Sequence, residues 1–81
     1  FESDNQTHMI YVDGANNRIG IKTNQPETTL DINDDTIRIR NQNTPSNAND
    51  FGLPGEIRWD ANYIYVCVAT DTWKRVLLSS W

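Results

Sequence analysis

The chain has 81 residues, is 37% hydrophobic and carries a formal net charge of -4, with one cysteine and one histidine. That size limits it to one small domain, and this composition supplies neither an internal disulfide nor enough ligands for a structural zinc. The acidic balance argues against a nucleic-acid-binding face, no signal peptide is expected in these residues, and no run approaches the roughly 20 apolar residues of a membrane helix.

Residues 1–7 are polar and without period, an expected incoming linker, and Phe1 in place of Met implies a piece of a longer polypeptide. Asn5-Gln6-Thr7 fits a glycosylation sequon, which carries meaning only in a eukaryotic secretory context. Residues 8–12 read as a short strand, and Asp13-Gly14-Ala15-Asn16-Asn17 is dense in turn formers. A calcium loop made of Asp13, Asn16 and Asn17 fails on spacing, since such loops place oxygen ligands at alternate positions with glycine at the sixth. A hairpin turn is the expectation. Residues 18–22 alternate Ile19 and Ile21 against Arg18, Gly20 and Lys22, and Gly20 marks a close backbone approach. After a turn at Thr23-Asn24-Gln25-Pro26, residues 29–32 place Leu30 and Ile32 on one face. A turn at Asn33-Asp34-Asp35 leads to residues 36–40, where Ile37 and Ile39 alternate with Thr36, Arg38 and Arg40. Each strand offers only two apolar side chains at period two, which suits narrow strands sharing a core with sister chains. Residues 8–40 are thus expected as a β-rich, shaft-like segment.

Residues 41–54 form an asparagine-rich connection ending in Gly52-Leu53-Pro54-Gly55, with no apolar period. Residues 55–81 hold all three tryptophans and the longest apolar run. They read as strands 56–60, 63–68 and 73–78, joined by turns at Ala61-Asn62 and Ala69-Thr70-Asp71-Thr72, a three-stranded antiparallel meander. In the middle strand Ile64, Val66 and Val68 face one way and Tyr63, Tyr65 and Cys67 the other. A strand apolar on both faces needs cover on both sides. Ile57, Trp59, Tyr63, Ile64, Tyr65, Val66, Val68, Trp73 and Val76 are accordingly the expected core or oligomer interface. With no staple inside the chain, oligomerisation is the expected source of stability. Cys67 reads as a buried, inert thiol.

Catalytic patterns are weak. His8 could pair only with Ser3, Ser46, Ser79 or Ser80, none in a nucleophile-elbow context. Glu56, Asp60 and Asp71 lie beside the aromatic meander at separations the sequence does not give. No phosphate loop or zinc-protease helix is present. The expectation is a protein that is not an enzyme and has no cofactor, no metal, no nucleic-acid partner and no membrane insertion.

Asn17-Arg18-Ile19-Gly20-Ile21-Lys22-Thr23-Asn24-Gln25-Pro26-Glu27-Thr28-Thr29-Leu30-Asp31-Ile32 resembles a repeat of bacteriophage tail-fibre and related virion fibre proteins. That repeat has a glycine-isoleucine-glycine-threonine core, a proline turn and a leucine-aspartate-hydrophobic strand. Lys22 stands where it usually has a second glycine. Gly55-Glu56-Ile57-Arg58-Trp59-Asp60, Tyr63-Ile64-Tyr65-Val66-Cys67-Val68 and Thr72-Trp73-Lys74-Arg75-Val76 are similar to a small terminal module of phage virion proteins. The resemblance implies an all-β homotrimer: an interwound shaft over 8–40, and a C-terminal knob over 55–81 that locks and caps three chains. It also implies other virion proteins as partners and a place on the virion, in a tail fibre or a comparable head or collar appendage. The competing expectation is a lectin-like tip recognising host-surface glycan through Trp81, Trp59, Trp73 and Tyr63. For these side chains packing is the favoured reading, because large aromatics in so small a chain are mostly buried.

Overall fold

A computed structural model describes residues 9–81. The expected 1–7 linker, and His8 at the head of the first strand, lie outside those residues. The described residues form six strands and no helix, so the chain is all-β, and they divide after Arg38 into two compact units.

The first unit is a three-stranded sheet of β1 (Ile10–Asp13), β2 (Arg18–Ile21) and β3 (Leu30–Ile32) in the order β1-β2-β3. The β1–β2 turn closes where the sequence places it. Asp13 accepts hydrogen bonds from the Asn16 amide (3.2 Å) and side chain (3.0 Å), and Asn17 takes the left-handed conformation at φ 57°, which asparagine tolerates. β3 then returns parallel to β2, pairing Ile19 with Leu30 and Ile21 with Ile32.

The crossover that permits this runs over residues 22–29 and starts at Lys22, whose φ is 60°. A side chain on Gly20 would meet the Thr23 carbonyl and lie 2.9 Å from its Cγ2, so the expected close approach exists, made by the chain's own crossover. Arg18 Nη1, on the same face, donates to the carbonyl of buried Pro26 at 3.1 Å. The glycine side of the sheet is therefore covered. By strand alternation and register, Ile10, Val12, Ile19, Ile21, Leu30 and Ile32 share the other side. That side is open, with Val12 65% exposed and Leu30 56%.

Residues 36–40, expected as a strand, join no sheet, and Ile37 is 74% exposed. Alternation describes the two faces a strand would have, but a strand forms only where a neighbour completes its ladder, and none lies here.

The second unit carries the meander: β4 (Ile57–Trp59), β5 (Tyr63–Ala69) and β6 (Thr72–Leu77), antiparallel in that order. Asp71, at φ 52°, makes the second turn, beside a register shift between Cys67 and Ala69. Residues 39–54 contain no strand and lie against this sheet. The Trp73 amide donates to Ala48 (2.9 Å), the Asn43 amide to Trp59 (2.9 Å) and the Asp71 amide to Gly52 (2.9 Å). Tyr65, Cys67 and Trp73 form the core beneath, with Cys67 fully buried.

Candidate functional site

The meander's two faces do different things. On one, β5 presents Tyr63, Tyr65 and Cys67, and the register adds Arg58 from β4 and Trp73 and Arg75 from β6. Trp73 is fixed from several directions: its Nε1 donates to the Asp50 carbonyl at 3.0 Å, and the Arg58 guanidinium lies 4.3 Å from its ring centre. Gly52 packs against it so closely that an added Cβ would lie 2.6 Å from Trp73 Cζ2 and 2.9 Å from Cys67 Sγ. Arg75 likewise lies over the Tyr63 ring, with its guanidinium carbon 4.1 Å from the ring centre.

Asp60 ties this face to the 39–54 segment. Its buried carboxylate accepts from the Thr44 hydroxyl (2.6 Å), the Tyr65 hydroxyl, and the amides of Asn62 (2.8 Å) and Tyr63 (2.9 Å). The Thr44 and Tyr65 hydroxyls, and then the two amides, hold its carboxyl well below the usual carboxylate range. The same contact with Asp60, together with burial, pushes the Tyr65 phenol up. Glu56 serves the local backbone, accepting from the Leu53 amide, with Arg58 at 3.6 Å.

Beside this hub lies a cleft of about 440 Å³, lined by residues 44–48 on one side and by Tyr65, Trp73, Lys74 and Arg75 on the other. The opposite face of the sheet is mostly apolar: Ile57 and Trp59 from β4, Ile64, Val66 and Val68 from β5, and Val76 from β6, with Lys74 of β6 opposite Val66. Ile57 is 61% exposed and Val76 66%.

The nine residues expected as core or interface therefore separate. Tyr65 and Trp73 are core, Tyr63 packs against it, and Ile57, Ile64, Val66, Val68 and Val76 stay on the open face with half-buried Trp59. Of the four aromatics considered for glycan, Trp73 lies beneath Gly52 and Arg58, and Tyr63 beneath Arg75. Trp59 donates its Nε1 to the Ile39 carbonyl at 2.8 Å. Only Trp81 is fully exposed among them. The structure does not bring these four together as one stacking platform. Sequence reasoning missed Gly52, the four-donor role of Asp60 and the stacked arginines. The aspartate directly before the Ala61-Asn62 turn was the legible signal for Asp60. Among the described residues no group of three or more His, Cys, Asp or Glu side chains is placed to hold a metal ion.

Fold and faces define an all-β protein of two small sheets, each with one open face, the second tied to its own 39–54 segment through the Asp60 hub. No protein-family model matches the chain, and no solved structure matches it. The chain is similar to the capsule K30/K69-specific depolymerase of Klebsiella phage K64-1, with 32% identity over 75 residues, 93% of this chain but 9% of the relative. It is also similar to depolymerase 1, capsule K30/K69-specific, of Klebsiella phage K5-2, with 44% identity over 41 residues, 51% of this chain and 5% of the relative. The chain thus spans less than a tenth of the length of either. Both relatives are phage proteins, in keeping with the phage resemblance of the sequence. Both are named depolymerases, which overturns the expectation of a protein that is not an enzyme. That expectation rested on missing motifs within 81 residues, and so short a stretch of such long relatives is no basis for it.

Proposed function

We propose that this chain is a self-associating segment of a phage tail protein that acts on host capsule, carried on the virion and working beside other virion proteins. The observation that carries the reading is the pair of open aliphatic faces, one on each unit, each opposite a face the chain covers itself. Each carries a run of exposed aliphatic side chains, Val12 and Leu30 on one and Ile57 and Val76 on the other being more than half exposed, and contiguous apolar patches of this kind mark interaction surfaces. Copies of the chain are the occupant that closes both at once, because symmetry brings the same aliphatic stripe to the axis from every subunit. Three copies agree with the fibre proteins the sequence resembles. Residues 8–40 then extend and register a shaft, 41–54 connect, and 55–81 lock and cap the chains. The names of the two relatives support capsule as the material the assembled protein meets.

Sedimentation velocity of Ile19→Asp and Val66→Asp tests this. Each substitution charges one open face and leaves the Tyr65–Cys67–Trp73 core untouched. Both variants are expected to shift the chain toward monomer while keeping its strand signal in circular dichroism. Unchanged sedimentation of both would refute the reading.

A further inference from the structure

The cleft beside the Asp60 hub is lined by Tyr65, Trp73 and Arg75 from the meander's covered face, not by the open-face residues assigned to that assembly, and its chemistry suits a ligand. One wall is the backbone and polar side chains of residues 44–48, with Thr44, Ser46 and Asn47 among them, and the other is the outer edge of β6. Arg75 lines it on the meander's covered face, the face that also carries Tyr65. The Trp73 amide turns outward to Ala48 and the Leu78 amide inward to Asn62. By the two-residue alternation of an antiparallel ladder, the Arg75 amide therefore also turns outward, toward the 44–48 wall.

The charges around the cleft are unevenly committed. Asp60, behind Tyr65, is saturated by its four donors, and Asp50 accepts from the amides of Ser46 (2.9 Å) and Phe51 (2.8 Å). Arg75 is in neither of the ion pairs found among the described residues, Lys22–Asp34 and Arg58–Glu56. Its guanidinium carbon lies 4.1 Å from the Tyr63 ring centre, a contact that restricts the side chain and lowers the entropy cost of presenting its N–H groups to a ligand. A preoriented fork beside an outward backbone amide is a carboxylate receptor. The hydroxyl and amide groups of Ser46 and Asn47 provide partners for neighbouring hydroxyls. We infer that this cleft binds an acidic saccharide, with the sugar carboxylate on Arg75 and the ring hydroxyls on the 44–48 wall. The inference rests on the reading that the protein meets host capsule. It does not need the aromatic platform that the structure fails to assemble.

The test uses the 81-residue chain, a hexuronate-containing oligosaccharide and the same oligosaccharide with its carboxyl groups reduced to alcohols. Amide NMR spectra should shift at residues 44–48 and 75 on adding the acidic sugar, and the reduced sugar should bind about tenfold more weakly. Arg75→Gln should lose the preference for the acidic sugar, Arg75→Lys should keep part of it, and Arg38→Gln should bind as the unmodified chain. Circular dichroism of each variant separates lost binding from lost fold, and the Lys variant retains the test if Gln unfolds the sheet. Equal binding of both sugars, or shifts confined to residues away from the cleft, would overturn the inference. Light scattering on the same samples keeps the two claims apart: a monomer that prefers the uronate sinks the assembly reading alone, and an oligomer indifferent to it sinks only this one.

Discussion

Gly52→Ala probes the packing that joins the 39–54 segment to the meander. The added Cβ would lie 2.6 and 2.8 Å from Trp73 Cζ2 and Cε2, and 2.9 Å from Cys67 Sγ. Carbon atoms pack at roughly 3.5–4.0 Å, so about 1 Å of movement is needed. The indole cannot give it freely, because its Nε1 donates to the Asp50 carbonyl, the Trp73 backbone amide is tied to the Ala48 carbonyl and Arg58 lies over the ring. The backbone could yield instead, at the expense of two hydrogen bonds: Gly52 amide to Asp71 Oδ1 at 3.1 Å and Asp71 amide to Gly52 carbonyl at 2.9 Å. Overpacking costs about 1–3 kcal/mol and each lost bond about 0.5–1.5 kcal/mol, giving roughly 2–4 kcal/mol if the site gives partly on both. For a domain of this size that is a Tm lowered by on the order of 10–30 °C. The assay is thermal unfolding followed by circular dichroism, at one fixed protein concentration because self-association would move Tm. Gly14→Ala is the control, since nothing lies within 4 Å of its Cβ. It should change stability by less than about 0.5 kcal/mol. Equal stability of the two variants would refute the packing argument.

Other outcomes follow from the same contacts. The depressed Asp60 carboxyl contributes stability that is fully present above the unfolded value of about 3.9 and is lost as pH falls through the folded one. Tm should therefore fall on acidification from about pH 4 to 2, and Asp60→Asn should flatten that slope and lower Tm at neutral pH; a full acid slope in the variant would remove Asp60 from the account. Lys22 is strained at φ 60° but ion-paired with Asp34 at 2.7 Å across an exposed surface. Lys22→Gly should gain stability relative to the parent most clearly in about 1 M salt, where such pairs are screened; urea titrations at low and high salt check this. Acrylamide should quench a distinct exposed fraction of the tryptophan emission, and Trp81→Phe should remove it, since Trp73 is 7% exposed and Trp59 is hydrogen-bonded to Ile39.

The meander was legible because two-residue alternation and a turn-forming Asn62 or Asp71 are local signals, and its strands fall close to the expected positions. The parallel return of β3 was not foreseen, because pairing direction depends on where an eight-residue crossover lands, which Pro26 and Gly20 record only once the sheet exists. The same limit applies at residues 36–40, whose alternation matches that of true strands without a neighbour to complete it. The sequence revealed that β5 has two apolar faces but left open which would be covered. Gly52 decides that: the one residue of its segment able to lie flat on Trp73 looks, in the sequence, like an ordinary loop glycine. The cleft is still less visible, since Arg75 and residues 44–48 are brought together only by that packing. The depolymerase relationship lies outside anything the residue pattern of so short a stretch expresses.

The central claim is that the two open aliphatic faces are closed by copies of the chain. Light scattering of the unmodified chain across a dilution series measures this directly. The account predicts a stable particle of about three times the 9.3 kDa chain mass, persisting on dilution. A folded chain that stays at 9.3 kDa at every concentration would contradict it.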